Sequence, residues 1–209
     1  MNMPNRTALI GFLLLPFAAA AQTTNVVRPI ADGQVDLMSV PLAAEGGNAI
    51  SNIFPGLPSG SVFYFWDSTL GSWAPTYGSS KGWDSTGSRQ VLPGEAFFLK
   101  PSGSYTAVLT GTPTTSPVTT NVLGWGHKGV FGYPYPVNIP WTDTQLASLL
   151  PPGSLVSFWD RTNSSFHNTF LKAPAAKGGG WGNAASNYIV HAGDGFAIIN
   201  YSTNLTWSE

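Results

Sequence analysis

Four carboxylates sit at matched places in this chain, and carboxylates gathered in pairs are the raw material of calcium sites and of general acid/base catalysis. Asp67 closes the run Pro58-Ser-Gly-Ser-Val-Phe-Tyr-Phe-Trp-Asp67, and Asp160 closes Pro151-Pro-Gly-Ser-Leu-Val-Ser-Phe-Trp-Asp160, 93 positions later. Glu95 in Pro93-Gly94-Glu95-Ala96-Phe97 and Asp194 in Ala192-Gly193-Asp194-Gly195-Phe196 make the second matched pair. A reaction needs one site, whereas a corner recurs with every copy of a fold. The duplication therefore assigns Asp67, Asp160, Glu95 and Asp194 to structural repeat corners, where a carboxylate accepts hydrogen bonds from turn N–H groups.

Other chemistry is thinly represented. Gly124-Trp-Gly-His-Lys-Gly129 fits G-x-G-x-x-G by letter, but Val130-Phe-Gly-Tyr-Pro-Tyr-Pro136 behind it cannot open the helix that would hold a pyrophosphate. His127, His167 and His191 are far apart, and there is no cysteine. The Trp-Asp pairs are spaced at about twice the length of a propeller blade. The reading is non-enzymatic, with no catalytic residue, cofactor or metal.

Aromatic side chains are the remaining resource. Trp66, Trp159, Trp83 and Trp181 recur at equivalent places and are expected in the core. Trp73, Tyr77, Trp125, Tyr133, Tyr135 and Trp141 have no clear counterpart and lie among Gly, Pro and Ser. Planar rings in such loops could stack on sugars or on a neighbouring subunit.

The elements that must position these groups can be traced twice. An opening edge strand is expected at Met38-Ser-Val-Pro-Leu42 and at Tyr133-Pro-Tyr-Pro-Val137. A short helix follows, capped by Asn48 in the first copy and by the capping box Thr142-x-x-Gln145 in the second. Next comes an aromatic strand, then a Trp-bearing loop, a hairpin turning at Pro93-Gly94 in type II geometry, and a closing strand. The expected fold is mainly β: two homologous antiparallel modules, sandwich- or barrel-like, each with one short helix, related by a pseudo-twofold. Their bounds are 37–111 and 121–209, with a Pro/Thr-rich linker at 112–120 and a polar, extended arm at 22–36.

Residues 1–21 read as a secretory signal peptide, with a basic start, an apolar run too short to span a bilayer, and Ala19-Ala20-Ala21 ahead of the cleavage point. That places the mature chain outside the cell or on its surface, with no membrane span. Only 9% of residues are charged and the net charge is −1, so no basic stripe exists to hold nucleic acid, and little repulsion keeps copies apart.

Taken together, Ile50-Ser-Asn-Ile-Phe-Pro-Gly-Leu-Pro-Ser-Gly-Ser-Val-Phe-Tyr-Phe-Trp-Asp67, Gly82-Trp83 and Leu92-Pro-Gly-Glu-Ala-Phe-Phe-Leu-Lys100 resemble secreted tandem-repeat β proteins of environmental bacteria. That resemblance covers nearly the whole mature chain, carries no activity, and implies no site residues. The leading expectation is a secreted structural protein that self-associates as an extracellular fibre, matrix or surface-layer subunit, its arm adding a strand to the next copy. The alternative is a carbohydrate-binding module that takes a polysaccharide on its loop aromatics.

Overall fold

Runs of alternating aromatic and β-branched residues, cut by Gly and Pro turns, form strands in this chain, and burial follows the alternation. The computed structural model describes residues 23–79, 82–83, 85–114, 116–173 and 180–209. The signal peptide expected at 1–21, with its cleavage point after Ala21, lies outside the described residues.

In the N-terminal half, β1 (Thr24–Ile30), β2 (Asp36–Ser39) and β3 (Leu42–Ala43) precede helix α1 (Ile50–Ile53), followed by β4 (Val62–Asp67), β5 (Ser72–Ser79), β6 (Gly82–Trp83), β7 (Ala96–Lys100) and β8 (Tyr105–Pro113). In the C-terminal half, β9 (Thr119–Val122), β10 (His127–Gly132) and β11 (Ile139–Pro140) precede α2 (Gln145–Leu149). Then come β12 (Leu155–Asp160), β13 (Ser165–Ala173), β14 (Gly180–Trp181), α3 (Asn183–Ser186), β15 (Ile189–Val190), β16 (Gly195–Asn200) and β17 (Leu205–Ser208). The fold is mainly β, its sheets are antiparallel, and none closes into a barrel. Two five-stranded sheets have the orders β2-β7-β4-β5-β6 and β10-β16-β12-β13-β14.

Each five-stranded sheet buries one face in its own aromatic core. Phe54, Phe63 and Phe97 meet with ring centroids 5.2 to 5.8 Å apart in the first. Trp141, Phe158 and Phe196 meet in the second, Trp141 lying 5.5 and 5.4 Å from the other two. Burying each such ring contributes about 2 kcal/mol. The opposite faces pack on each other through Leu37, Phe98, Val130 and Ala197, flanked by Trp66, Trp73 and Trp159. Trp66 and Trp159 therefore seal the join between the sheets instead of filling either core. The Trp66 indole N–H donates to the Lys128 carbonyl at 2.9 Å, and the Trp159 indole N–H donates to the Val35 carbonyl at 3.1 Å. The backbone crosses the same join twice, from Gly132 N–H to the Gly94 carbonyl (3.0 Å) and from Ser39 N–H to the Gly193 carbonyl (2.9 Å).

Several local expectations need correction. The arm at 22–36 is no loose segment, because β1 pairs with β8 of its own chain along all of Thr24–Ile30. Its counterpart is β9, which pairs with β17, and the two open on one phrase, Thr23-Thr-Asn-Val26 and Thr119-Thr-Asn-Val122. The linker at 112–120 accordingly holds the end of β8 and the start of β9. Tyr133-Pro-Tyr-Pro136 is a turn, and the strand equivalent to β2 begins earlier, at His127. The helix cap in the second half is Thr144, whose Oγ1 accepts from Ala147 N–H at 3.1 Å, with a 3-10 turn over Trp141–Asp143 before it. Asn48 caps nothing; its amide accepts from Ala44 N–H (2.8 Å) and donates to the Leu42 carbonyl (3.1 Å), bracing the loop ahead of α1. The second half also carries α3 beyond its one expected helix. The type II turn at Pro93-Gly94 follows expectation, with Gly94 at φ +82° and Glu95 N–H donating to the Leu92 carbonyl at 3.0 Å, but it closes no hairpin, because β7 pairs with β2 and β4 while Gln90 bridges Ala49.

Candidate functional site

All four corner carboxylates accept hydrogen bonds from their own turns. Asp67 Oδ1 takes the N–H groups of Thr69 and Leu70 at 2.8 and 3.0 Å, and Asp160 Oδ1 takes those of Thr162 and Asn163 at 2.8 and 3.2 Å. Glu95 accepts from Leu92 N–H at 3.1 Å, and Asp194 accepts from His191 N–H at 2.9 Å. These bonds hold the strand ends square.

The loop aromatics separate. Trp73 is half-buried at the join, with its ring centroid 4.5 Å from that of Phe98. Trp141 is fully buried, and Tyr133 is 5% exposed with its ring edge against Tyr135. The Tyr135 hydroxyl donates to the Glu209 carbonyl. Tyr77 stands opposite Val62 in β5, its side chain outside the described set. Among those whose side chains are described, Trp125 is the exposed one, at 74%, and Tyr201 (57% exposed) lies beside Gly126. Trp125 and Gly126 have φ of +59° and +81°, and His127 N–H donates to the Gly124 carbonyl at 3.2 Å, which is the pattern of a type I′ turn. The G-x-G-x-x-G letters thus form a tight turn running into strand β10.

A surface cleft of about 530 Å³ opens where β1 and the loop after it meet the far end of the second sheet. This falls in the size range of small-molecule sites. Its walls are Trp159, Arg161, Tyr188, His191 and Asp194, faced by Gln34 and Pro29. Of these, sequence reasoning singled out Asp194 as a corner and Trp159 as core, and missed Arg161, Tyr188 and His191, which carry no motif.

Under the cleft lies a buried ionic cluster. Arg28, pointing inward from β1, donates to Asp194 Oδ1 at 2.6 Å, and its other terminal nitrogen is 3.5 Å from Asp36 Oδ2. Arg161 Nε is 3.3 Å from the same Asp36 oxygen, and its guanidinium also donates to the Pro29 carbonyl at 3.2 Å. The side chains of Arg28 and Asp36 are 4% and 3% exposed. Burial pushes the Asp36 carboxyl above the ordinary carboxylate range; Arg28 and Arg161 pull it back, and Asp194 adds to the rise. The Tyr188 hydroxyl is pushed up to about 12, first by burial and then by the negative charge of Asp194. It therefore stays protonated and can donate. Among the described residues, no three His, Cys, Asp or Glu converge to hold a metal, and no helix is long and apolar enough to cross a membrane.

The fold and the cleft define a mainly antiparallel β protein built of two like-ordered sheets, with a polar cleft and a buried ion cluster at one side of the join. Comparison with protein-family models, with curated proteins and with solved structures found no match.

Proposed function

We propose that this protein is a secreted, non-enzymatic structural subunit that associates with further copies of itself outside the cell, in a fibre, matrix or surface layer. The observation that carries this reading is the outer face of the β1-β8-β3 sheet. Val27 and Val108 stand directly opposite each other there, 58% and 46% exposed, with Asn25 opposite Thr110 and Pro29 opposite Thr106 on either side. These six outward side chains carry no charge, and a flat, charge-free β face can pack against a copy of itself. A route through a freely exchanging arm has less support, since β1 is engaged along its whole length with its own β8.

The test is light scattering with electron microscopy on residues 22–209 over a concentration series, beside a Val27→Asp, Val108→Asp variant. Concentration-dependent oligomers or filaments that the variant loses, with its circular dichroism unchanged, support the reading. A monomer at every concentration overturns it.

A second reading, carbohydrate binding, is favoured by the exposed Trp125 in its left-handed turn. Pull-down on insoluble polysaccharides, lost on Trp125→Ala, supports it; equal retention of the variant counts against it.

A further inference from the structure

The two halves provide an internal comparison at equivalent places. Ile50 N–H donates to the Arg89 carbonyl (3.0 Å), and Trp141 N–H donates to the Tyr188 carbonyl (2.8 Å), so Tyr188 stands where the first half has Arg89. By the same turn bonds, His191 stands where the first half has Leu92, and Asp194 where it has Glu95. By the shared Asp corner, Arg161 stands where the first half has Ser68.

In the first half, the Arg89 guanidinium carbon lies over Phe65, 3.6 Å from its ring centroid, and the guanidinium pairs with Glu95. That pair closes the corner from within. In the second half, the Tyr188 ring takes the place over Phe158, 3.6 Å away and within 8° of parallel, and the cation for Asp194 comes from Arg28 on β1. The corner is satisfied in both halves. A niche beside Glu95 in the first half, lined by Trp66, Lys128 and Phe131 but not by Arg89 or Leu92, encloses about 230 Å³, less than half the volume of the cleft at Tyr188.

Both halves need the same corner and the same stacked group, and the requirements of the fold explain what they share. They do not explain why the second half departs at three positions that all face the larger cleft. We infer that this cleft is a binding site for an uncharged saccharide, held by Tyr188, His191, Gln34 and Thr162 against the wall formed by Trp159. The ligand class follows from the charges and the donors. Arg28 is paired with Asp194 and Arg161 with Asp36, so no uncompensated cation is left for a phosphate or carboxylate. The remaining polar groups, the amide of Gln34, the hydroxyls of Thr162 and Tyr188 and the imidazole of His191, can each donate and accept. A polyol meets such a set with hydroxyls of both kinds while its ring face lies on an aromatic wall. The Trp159 indole is already fixed by its bond to Val35, so the wall is formed before ligand arrives. This site borders the self-association face at Pro29, and it rests on the carbohydrate-binding reading for its ligand class alone.

The experiment is isothermal titration of residues 22–209 with neutral hexasaccharides of glucose, xylose, mannose and N-acetylglucosamine. The variants are Tyr188→Arg and His191→Leu, each of which introduces the residue the first half tolerates at the equivalent position, together with Trp125→Ala. The expected result is saturable binding of one of these saccharides, weakened at least tenfold in Tyr188→Arg and in His191→Leu, with unchanged thermal melting and normal affinity in Trp125→Ala. No binding by the unaltered protein at millimolar saccharide overturns the inference. Binding lost in Trp125→Ala but kept in the two cleft variants also overturns it, while leaving carbohydrate binding in place at the turn.

Discussion

Arg28 in the first strand donates to Asp194 in the turn before β16 at 2.6 Å, across 166 positions of sequence, and so locks β1 to the opposite half of the molecule. The same guanidinium faces Asp36, which Arg161 approaches from the far side. Two cations and two carboxylates thus meet where three separate segments converge.

Removing one member of such a cluster leaves the others buried and uncompensated. Arg28→Met is expected to lower stability by about 3 to 5 kcal/mol, because Asp36 and Asp194 would then lack their shared cation. The combined variant Arg28→Met, Asp36→Leu, Asp194→Asn should recover much of that loss. Urea denaturation of all three proteins at pH 7 measures both differences, and a single variant as stable as the parent would show that the cluster contributes nothing.

Asp36 sets a pH dependence of definite sign. Its folded carboxyl lies above the ordinary value of 3.8, chiefly through burial, so the folded state binds this proton more readily than the unfolded chain does. The contribution of Asp36 to stability is therefore largest below about pH 4 and declines as pH rises from there through its folded value. Against Asp36→Asn, the parent should gain relative stability on acidification from pH 7 to pH 4, in a plot of denaturation free energy against pH. A parallel pair of curves would refute the direction.

The join between the sheets depends on the absence of a side chain at Gly132. A Cβ there would lie 2.0 Å from the Cβ of Ser39, at the point where the Gly132 and Ser39 segments cross. Gly132→Val should separate the sheets locally and cost more than about 3 kcal/mol, with the indoles of Trp66 and Trp159 becoming exposed. Intrinsic tryptophan fluorescence shifting to the red, together with loss of the cooperative melt, is the expected outcome. Trp66→Phe is milder: it removes the bond to Lys128 and should cost about 1 kcal/mol.

Trp125 occupies the first central position of its turn at φ +59°, where a large side chain is strained and Asn is at ease. Trp125→Asn should raise stability by about 0.5 to 1 kcal/mol, read as a higher melting temperature. If Trp125 is also a ligand contact, the same substitution removes polysaccharide binding while the protein becomes more stable. A destabilised variant would show that the indole packs on its surroundings.

Much of the architecture was legible in the residues. Phe63 alternates with less buried neighbours, so its strand and burial follow from period two, whereas β7 is buried from Ala96 to Leu99, and Pro93-Gly94 admits few turns besides type II. Asp67, Asp160, Glu95 and Asp194 stand at matched places in the sequence, and each accepts a hydrogen bond from its own turn. The pairing of β1 was missed, although the repeated Thr-Thr-Asn-Val phrase of β1 and β9 marked it; four small and polar residues make a weak signal. The loop aromatics misled because a Trp between Gly and Pro looks the same in sequence whether it faces solvent, as Trp125 does, or fills a core, as Trp141 does.

The sequence by itself determined most of the strands, the turns and the chemistry of the corners, because each is dictated within a few neighbouring residues. Only the tertiary structure decided which faces of the two sheets meet, which Trp residues seal that join, and that Arg28, Asp36, Arg161 and Asp194 gather beneath one cleft. Arg28 and Asp194 lie 166 positions apart and Trp159 and Val35 124, and with side-chain period two, no local pattern states which sheet a given face will bury against.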